Sequence, residues 1–201
     1  MFIVIEGLDG SGKTTVSKLL TSEFIKHGLN CHHTYEPTNG LIGTLLRSIL
    51  VGKTPHVAMH TMALLFAADR YEHIWEEIIP RLEHGHIVCD RYYYSNMAYQ
   101  SYDAKSLEFV MHHNNFAMEQ CRPDITFFIN VSPEECMRRI QKRNENRSIF
   151  ETLESLQLIH TRYMDTINKM KETDNIIIVG SDTATPDEVV KEIWQHIKMK
   201  R

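Results

Sequence analysis

A glycine-rich segment near the amino terminus carries the most specific chemistry in the sequence. It directly follows a short apolar run and reads Gly7-Leu8-Asp9-Gly10-Ser11-Gly12-Lys13-Thr14. Glycines at these positions let backbone N–H groups wrap a phosphate, while the lysine reaches the β- and γ-phosphates and the threonine hydroxyl can ligate Mg²⁺. The segment therefore predicts a site for a nucleoside triphosphate, formed by Gly7, Leu8, Asp9, Gly10, Ser11, Gly12, Lys13, Thr14 and Thr15.

A second apolar run ends in an acidic and a basic side chain, Asp90 and Arg91. In a parallel sheet the end of this run can lie beside the phosphate site, where Asp90 would help to hold Mg²⁺, directly or through water. Arg91 could then bridge the phosphates of a donor and an acceptor. An exposed acid–base pair at the end of a strand is the alternative, and this segment alone does not decide between them.

A third candidate is a cationic stretch that reads Arg138-Arg139-Ile140-Gln141-Lys142-Arg143-Asn144-Glu145-Asn146-Arg147. Arg139 and Arg143 are four residues apart and would share one face of a helix, with Arg147 just beyond it. Phosphoryl transfer spreads negative charge over the equatorial oxygens, which arginines can stabilise. A solvated basic face is the alternative, as for charged runs in general.

The elements that position these residues alternate between short strands and longer amphipathic helices, which is typical of a parallel sheet covered by helices. Strands are predicted at Phe2–Glu6, Cys31–Tyr35, His86–Asp90, Asp124–Asn130 and Asn175–Val179. Helices are predicted at Gly12–His27, Leu41–Val51, Ala58–Glu83, Ser106–Gln120, Pro133–Lys142, Glu151–Thr173 and Pro186–Met199. Such a fold binds its ligands at the carboxyl ends of the strands.

Composition narrows the class of protein. The chain has 201 residues and a formal net charge of −4, which is the size of one domain and provides no basic field for nucleic acid. The amino terminus does not resemble a signal peptide, and no apolar run approaches the ~20 residues that cross a membrane. Four scattered cysteines and twelve histidines show no zinc-like spacing. These observations favour a cytoplasmic protein without a nucleic-acid or membrane partner.

Several motifs together resemble the thymidylate kinase family. They are the phosphate-binding segment Gly7 to Thr14, the helix segment Leu64-Leu65-Phe66-Ala67-Ala68-Asp69-Arg70, the segments Asp90-Arg91-Tyr92 and Ser95-Asn96-Met97-Ala98-Tyr99-Gln100, and Arg122-Pro123-Asp124-Ile125-Thr126. The resemblance runs from Met1 to about Met199. It implies a three-layer P-loop kinase-like α/β fold with a five-stranded parallel sheet. It also implies one nucleotide kinase domain over residues 1–201, with a lid at about 138–151.

The resemblance implies transfer of the ATP γ-phosphate to dTMP in dTTP biosynthesis, with Mg²⁺ as cofactor and a homodimer as the assembly. Phe66 would stack on thymine and Arg70, four residues along the same helix, would bind its carbonyl edge. Tyr99 would crowd the 2′ position of the sugar. Ordinary core packing is the alternative for Phe66, as a solvated helix face is for Arg47. The full set of implied acceptor residues is Asp9, Glu36, Arg47, Phe66, Arg70, Arg91, Asn96, Tyr99, Gln100 and Tyr163.

The lid carries the remaining catalytic expectation. Because Asp9-Gly10-Ser11 contains no cation, the chain is similar to the members of the family whose lid supplies the arginine. Arg143 and Arg147 are therefore predicted to be catalytic together with Lys13, Asp9 and Arg91, and Arg139 and Arg143 to contact ATP.

Two departures from the family pattern concern Glu36, followed here by Pro37-Thr38-Asn39, and the register of the lid, where Asn146 replaces the usual Asp. The alternatives to this function are another deoxynucleotide or deoxynucleoside kinase and a non-catalytic nucleotide-binding switch.

Overall fold

Five parallel strands form the centre of the computed structural model, which describes residues 1–55, 57–142 and 148–198. The strands are β1 (Phe2–Gly7), β2 (Cys31–Tyr35), β3 (His86–Asp90), β4 (Ile125–Ile129) and β5 (Ile176–Val179), in the spatial order β2-β3-β1-β4-β5. The five predicted strands are confirmed, with ends that agree to within a residue or so. The apolar residues of β1, β3 and β4 are buried because helices cover both faces of a parallel sheet, whereas Ile178 of the edge strand β5 is exposed.

The helices are α1 (Lys13–Lys26), α2 (Leu41–Leu50), α3 (Met59–His73), α4 (Ile79–Leu82), α5 (Tyr93–Gln100), α6 (Ala104–Gln120), α7 (Pro133–Lys142), α8 (Leu153–Met170) and α9 (Pro186–Lys198). α1 packs against α9, and α5 packs against α3, α6 and α8. The two groups cover the sheet and give the predicted three-layer α/β arrangement. None of the helices in residues 1–55, 57–142 and 148–198 combines the length and the apolarity that crossing a membrane requires.

The helix predicted for Ala58–Glu83 is present as a continuous helical run, Met59 to Leu82, but it is not α-helical throughout. α3 ends at His73, a π-helical turn follows at Ile74–Ile78, and only then does α4 begin. Pro80 lies at the start of α4, and a proline has no N–H to donate and collides with the carbonyl of the preceding turn. The π-helical turn accommodates that defect with one wider turn of chain.

Helix α5 has no counterpart among the predicted helices, although it carries several candidate site residues. Its sequence is dominated by tyrosines, and Tyr92 at its N-cap position provides no side-chain cap. The cap comes instead from β1, because the buried carboxylate of Glu6 accepts hydrogen bonds from the backbone N–H groups of Tyr92 (2.8 Å) and Ser95 (3.1 Å). A cap supplied from a distant strand leaves no local signal in the sequence.

The strand register brings the candidate residues to one edge of the sheet. Ile5 of β1 pairs with Asp90 of β3, and Tyr35 of β2 pairs with Asp90 from the other side. β2 and β3 therefore end at the same level, and β1 continues for two residues beyond them, to Gly7. The phosphate-binding loop after β1, Arg91 after β3 and Glu36 after β2 consequently share this edge.

Candidate active site

The loop after β1 has the backbone conformation that a phosphate cradle requires. Gly7, Gly10 and Gly12 all have positive φ angles, of 151°, 85° and 95°. Gly10 has a second reason to be glycine besides its positive φ. An added Cβ would lie 2.5 Å from the carbonyl oxygen of Cys136. The loop closes through a hydrogen bond from the N–H of Ser11 to the carbonyl of Leu8 at 3.1 Å.

Lys13 lies inside this loop and at the start of α1. Its Nζ donates to the carbonyl oxygen of Leu8 at 2.7 Å and lies 4.0 Å from a carboxylate oxygen of Asp9. Burial lowers the pKa of the Lys13 ammonium, while the nearby carboxylates of Asp9 and Asp90 act in the opposite direction. A cation held this way points a localised positive charge into the loop, where a phosphate would sit.

Thr14 and Asp90 form a second polar pair next to the loop. The hydroxyl of Thr14 donates to Asp90 Oδ2 at 2.5 Å. The other carboxylate oxygen, Asp90 Oδ1, is buried and has no hydrogen-bond partner among the described residues. An unpaired buried carboxylate oxygen beside a hydroxyl fits Mg²⁺, which prefers oxygen ligands.

These residues line an open cleft of about 270 Å³, called here the donor cleft. Arg139 from α7 closes one side: its Nη1 donates to the carbonyl of Ser11 at 3.4 Å and its Nη2 to the carbonyl of Asp182 at 3.0 Å. The Nε–H of Arg139 is held by Glu135 at 2.7 Å. The donor cleft is lined by Asp9, Gly10, Gly12, Lys13, Thr14, Thr15, Arg91 and Arg139.

Arg91 is held in a fixed orientation beside the donor cleft. Its backbone has a φ of 72°, which is uncommon for a residue with a side chain. The guanidinium donates to Asp9 Oδ1 and to Ser95 Oγ (3.0 Å), and lies 5.0 Å from the centre of the Tyr99 ring. The Tyr99 hydroxyl in turn donates to Asp9 Oδ2 at 3.1 Å. Arg91, Asp9 and Tyr99 therefore form one rigid group.

A second cavity, of about 200 Å³, lies on the other side of this group and is called here the acceptor cavity. Asp9 and Arg91 line both spaces, so that the two sites meet at these side chains. The acceptor cavity is lined by Asp9, Pro37, Arg47, Leu50, Phe66, Arg91, Ser95, Asn96, Tyr99, Gln100, Ser148 and Phe150. Predicted residues from α2, α3 and α5 are brought together here.

Arg47 reaches the cavity from α2. Its Nη1 donates to the carbonyl of Pro37 at 2.6 Å and its Nη2 to Asn39 Oδ1 at 2.9 Å. These contacts fix the guanidinium at the cavity wall rather than on a solvated helix face. Arg47 therefore lines the acceptor cavity, and its role there stays a prediction.

Three predicted contact residues do not line the cavity. Glu36 and Arg70 lie behind the wall, where they are buried and form an ion pair with a 2.5 Å contact from Arg70 Nη2 to Glu36 Oε2. Tyr163 is fully buried, with its hydroxyl hydrogen bonded to Glu6 (2.9 Å) and Ser95 (2.8 Å). The structure thus brings Arg70 and Tyr163 close to the acceptor cavity without placing them in its lining, and their contact with a ligand stays a prediction.

The buried arginine sets the polarity of the cavity through a chain of amides. Arg70 has only donors, and Nη1 donates to Asn114 Oδ1 at 2.5 Å and to Asn96 Oδ1 at 3.4 Å. Asn96 Oδ1 is turned toward Arg70, so that Asn96 Nδ2 points away from it and donates to Gln100 Oε1 at 3.1 Å. Gln100 Nε2 is left buried without a partner in the described part of the chain. Because Gln100 lines the acceptor cavity, this unsatisfied donor lies in the cavity wall.

Four further residues complete the wall and are not predicted from the sequence: Pro37, Leu50, Ser148 and Phe150. Phe150 packs edge-on against Tyr99, with 5.4 Å between ring centres, and the N–H of Ile149 donates to the carbonyl of Leu50 at 3.1 Å. Ser148 and Phe150 come directly after the cationic stretch in the sequence, so the end of the predicted lid contacts the acceptor cavity. An apolar residue after a charged run was the only available signal. Arg143 and Arg147, the predicted lid arginines, lie outside the described residues.

Comparisons with known proteins agree with this geometry. The family model described as Thymidylate kinase matches residues 5–193. A probable thymidylate kinase of Methanococcus aeolicus is 42% identical over 202 aligned residues, covering 100% of this chain and 97% of the relative. Proteins of the same description from Methanocaldococcus jannaschii and Pyrococcus abyssi are 39% and 36% identical, covering 98% and 94% of this chain and 96% and 93% of the relatives. The chain belongs to the thymidylate kinase family.

Proposed function

We propose that the chain transfers the γ-phosphate of ATP to dTMP, giving dTDP for dTTP biosynthesis. The observation that carries this proposal is the pair of spaces joined at Asp9 and Arg91. One space has a phosphate cradle and the other a ring-sized apolar wall with a few fixed polar groups. A kinase needs this arrangement, because catalysis of phosphoryl transfer consists mostly of positioning and charge stabilisation.

In the donor cleft, backbone N–H groups of the loop and Lys13 hold the phosphates of ATP. Thr14 and Asp90 are the residues that would hold Mg²⁺, which when bound neutralises charge on the phosphate oxygens. Arg139, fixed by Glu135 at the rim, contacts the phosphates or the base of ATP. Membership of a kinase family supports ATP-dependent chemistry, and the unpaired Asp90 Oδ1 supports the metal.

In the acceptor cavity, Phe66 stacks on the thymine ring and Gln100 Nε2 donates to one of its carbonyl oxygens. Asn96 holds Gln100 in that orientation. Arg70 and Glu36 fix Asn96 from behind the wall, and Tyr163 fixes Ser95 in the same indirect way. Tyr99 packs beside the sugar and disfavours a 2′-hydroxyl.

Arg47 and Arg91 bind the phosphate of dTMP and aim one of its oxygens at the γ-phosphorus of ATP. A new P–O bond forms as the bond from the γ-phosphorus to the β–γ bridging oxygen breaks, and ADP leaves with that electron pair. Arg91 can contact both phosphates because it borders both spaces. Asp9 keeps its guanidinium in place. Arg143 and Arg147 stabilise the charge of the transferring group when the lid at about 138–151 closes.

We propose further that residues 1–201 act as one kinase domain and that two copies form a homodimer in the cytoplasm. An exposed aromatic group supports the dimer: Tyr71 and Phe116 stack with 4.5 Å between ring centres, and Trp75 is 53% exposed beside them. Light scattering of the purified protein measures its mass. A monomer at all concentrations would contradict this part of the proposal.

A coupled assay of ADP release tests the reaction. ATP and Mg²⁺ are held constant while dTMP, dUMP, dCMP, dGMP and deoxythymidine are varied. Phosphorylation of dTMP is expected, with a much lower kcat/KM for deoxythymidine, because the cavity offers cations to the acceptor phosphate; the panel then measures selectivity among the monophosphates. Higher activity with the deoxynucleoside than with every monophosphate would make the proposal wrong, and ATP binding without any turnover would favour a nucleotide-binding switch.

A further inference from the structure

A buried histidine that lines neither the donor cleft nor the acceptor cavity lies at the far end of the polar chain behind Gln100. His73 is one helical turn beyond Arg70 on α3, and its side chain is 0% exposed. A fully buried imidazole needs partners for both ring nitrogens, since an unpaired polar group in the interior is costly. The partners that it has determine what it can do.

One side of the ring holds a carboxylate that Arg70 also holds. His73 Nδ1 lies 3.1 Å from Glu36 Oε1, while Arg70 Nη2 contacts Glu36 Oε2 at 2.5 Å. A carboxylate oxygen without a proton can only accept, so that Nδ1 carries the hydrogen. The other ring nitrogen, Nε2, lies 2.7 Å from Thr34 Oγ1 and 3.5 Å from Glu77 Oε2.

The orientation of Glu36 affects two parts of the acceptor cavity wall. Arg70, fixed by Glu36, orients Asn96, and Asn96 orients Gln100. Pro37 directly follows Glu36 and forms part of the cavity wall. The donor cleft shares only Asp9 and Arg91 with the acceptor cavity, and Glu36, Pro37, Arg70, Asn96 and Gln100 do not line it.

We propose that His73 is a positioning residue for nucleobase recognition. Its Nδ1–H keeps Glu36 in the one orientation that pairs with Arg70, and so sets the donor that Gln100 presents to the base. This inference rests on the proposed function, because it names the part of the same site that acts on dTMP rather than on ATP. Loss of the Nδ1–H therefore weakens acceptor binding selectively.

Two substitutions at His73 separate the two ring nitrogens. His73→Asn places an amide N–H close to the position of Nδ1, whereas His73→Gln places its amide near Nε2 and leaves Glu36 without this donor. His73→Gln is expected to raise the KM for dTMP by about tenfold, since a hydrogen bond to a charged partner is lost. His73→Asn is expected to stay within about twofold of the wild type, because it keeps that bond. The KM for ATP and kcat should be unchanged in both.

Glu77→Gln is the matched control, because Glu77 contacts only the Nε2 side of the ring and is about one-third exposed. It should leave the KM for dTMP unchanged. Melting temperatures of all variants show whether a loss of binding is merely a loss of fold. If His73→Gln does not fold, Glu36→Gln tests the same hydrogen bond from the other side, and an unchanged KM for dTMP would overturn the inference.

A double substitution tests whether the effect passes through Glu36. In the Glu36→Gln background, His73→Gln should add little, because the two changes break the same link. Equal effects of His73→Asn and His73→Gln, or a matching rise in the KM for ATP, would overturn the inference while leaving the proposed function intact. Absence of dTMP phosphorylation by the wild type would instead refute the proposed function.

Discussion

The donor cleft and the acceptor cavity meet at Asp9 and Arg91, yet they are built in different ways. Most of the donor cleft comes from one continuous segment, Gly10 to Thr15, whose backbone supplies much of the chemistry. The acceptor cavity draws side chains from the loops after β1, β2 and β3, from α2, α3 and α5, and from residues 148 and 150. A phosphate is recognised by N–H groups and charge, whereas a nucleobase needs side chains in fixed orientations.

This difference affects how each site is stabilised. The donor cleft depends on glycine conformations and on one buried lysine. The acceptor cavity depends on buried polar residues behind its wall, Arg70, Glu36 and Asn114 among them, which never touch the cavity themselves. Substitutions in the donor cleft should therefore act on turnover or on ATP, and substitutions in the acceptor cavity on the KM for dTMP.

The largest effect is expected from Lys13→Met. This change removes the cation at the β- and γ-phosphates, and the loss of one preorganised charged donor costs about 10²–10³ in rate. kcat should fall by that factor while dTMP binding, measured by calorimetry, stays unchanged. Lys18→Met, on the exposed side of the same helix, is the control and should be active. A large loss of dTMP affinity in Lys13→Met would show that the two sites are not separable.

The same contrast explains how much could be predicted from the sequence. The phosphate loop is local, so its glycines, lysine and threonine specify the donor cleft and the strand before it. Phe66 and Asn96 were found through resemblance, and the structure brings both to the cavity. Helix α5 was missed because its cap, Glu6, is distant in sequence. The position of Arg70 behind the wall could not be predicted, because nothing local shows that Glu36 and Asn114 take its Nη groups.

Gly10→Ala tests the backbone requirement of the donor cleft. An alanine at a φ of 85° with its Cβ 2.5 Å from the carbonyl of Cys136 should cost about 2–3 kcal/mol in stability or force the loop open. Either outcome weakens ATP binding. Gly28→Ala is the matched control, since Gly28 has a φ of 73° but open space around it, and should cost only about 1 kcal/mol with normal ATP affinity. Thermal unfolding and ATP titration measure both.

Asp90→Asn tests the metal site in the same cleft. The amide keeps the size of the side chain but supplies a weaker ligand for Mg²⁺, so that the Mg²⁺ concentration for half-maximal activity should rise by about 10–100-fold. The KM for dTMP at saturating Mg²⁺ should be unchanged. Asp187→Asn, an exposed change of the same charge, controls for the general electrostatic effect. An unaltered Mg²⁺ dependence in Asp90→Asn would remove Asp90 from the metal site.

The smallest effect belongs to the acceptor cavity, where Phe66→Leu removes the aromatic face but keeps an apolar side chain. Stacking contributes about 0.5–1.5 kcal/mol beyond area burial, so the KM for dTMP should rise by roughly two- to tenfold. Phe109→Leu is the matched control, because Phe109 is also half-buried but packs against His60 and His113, away from the cavity. The KM for ATP should be unchanged in both variants. Equal effects of the two substitutions on the KM for dTMP would mean that Phe66 acts through packing alone.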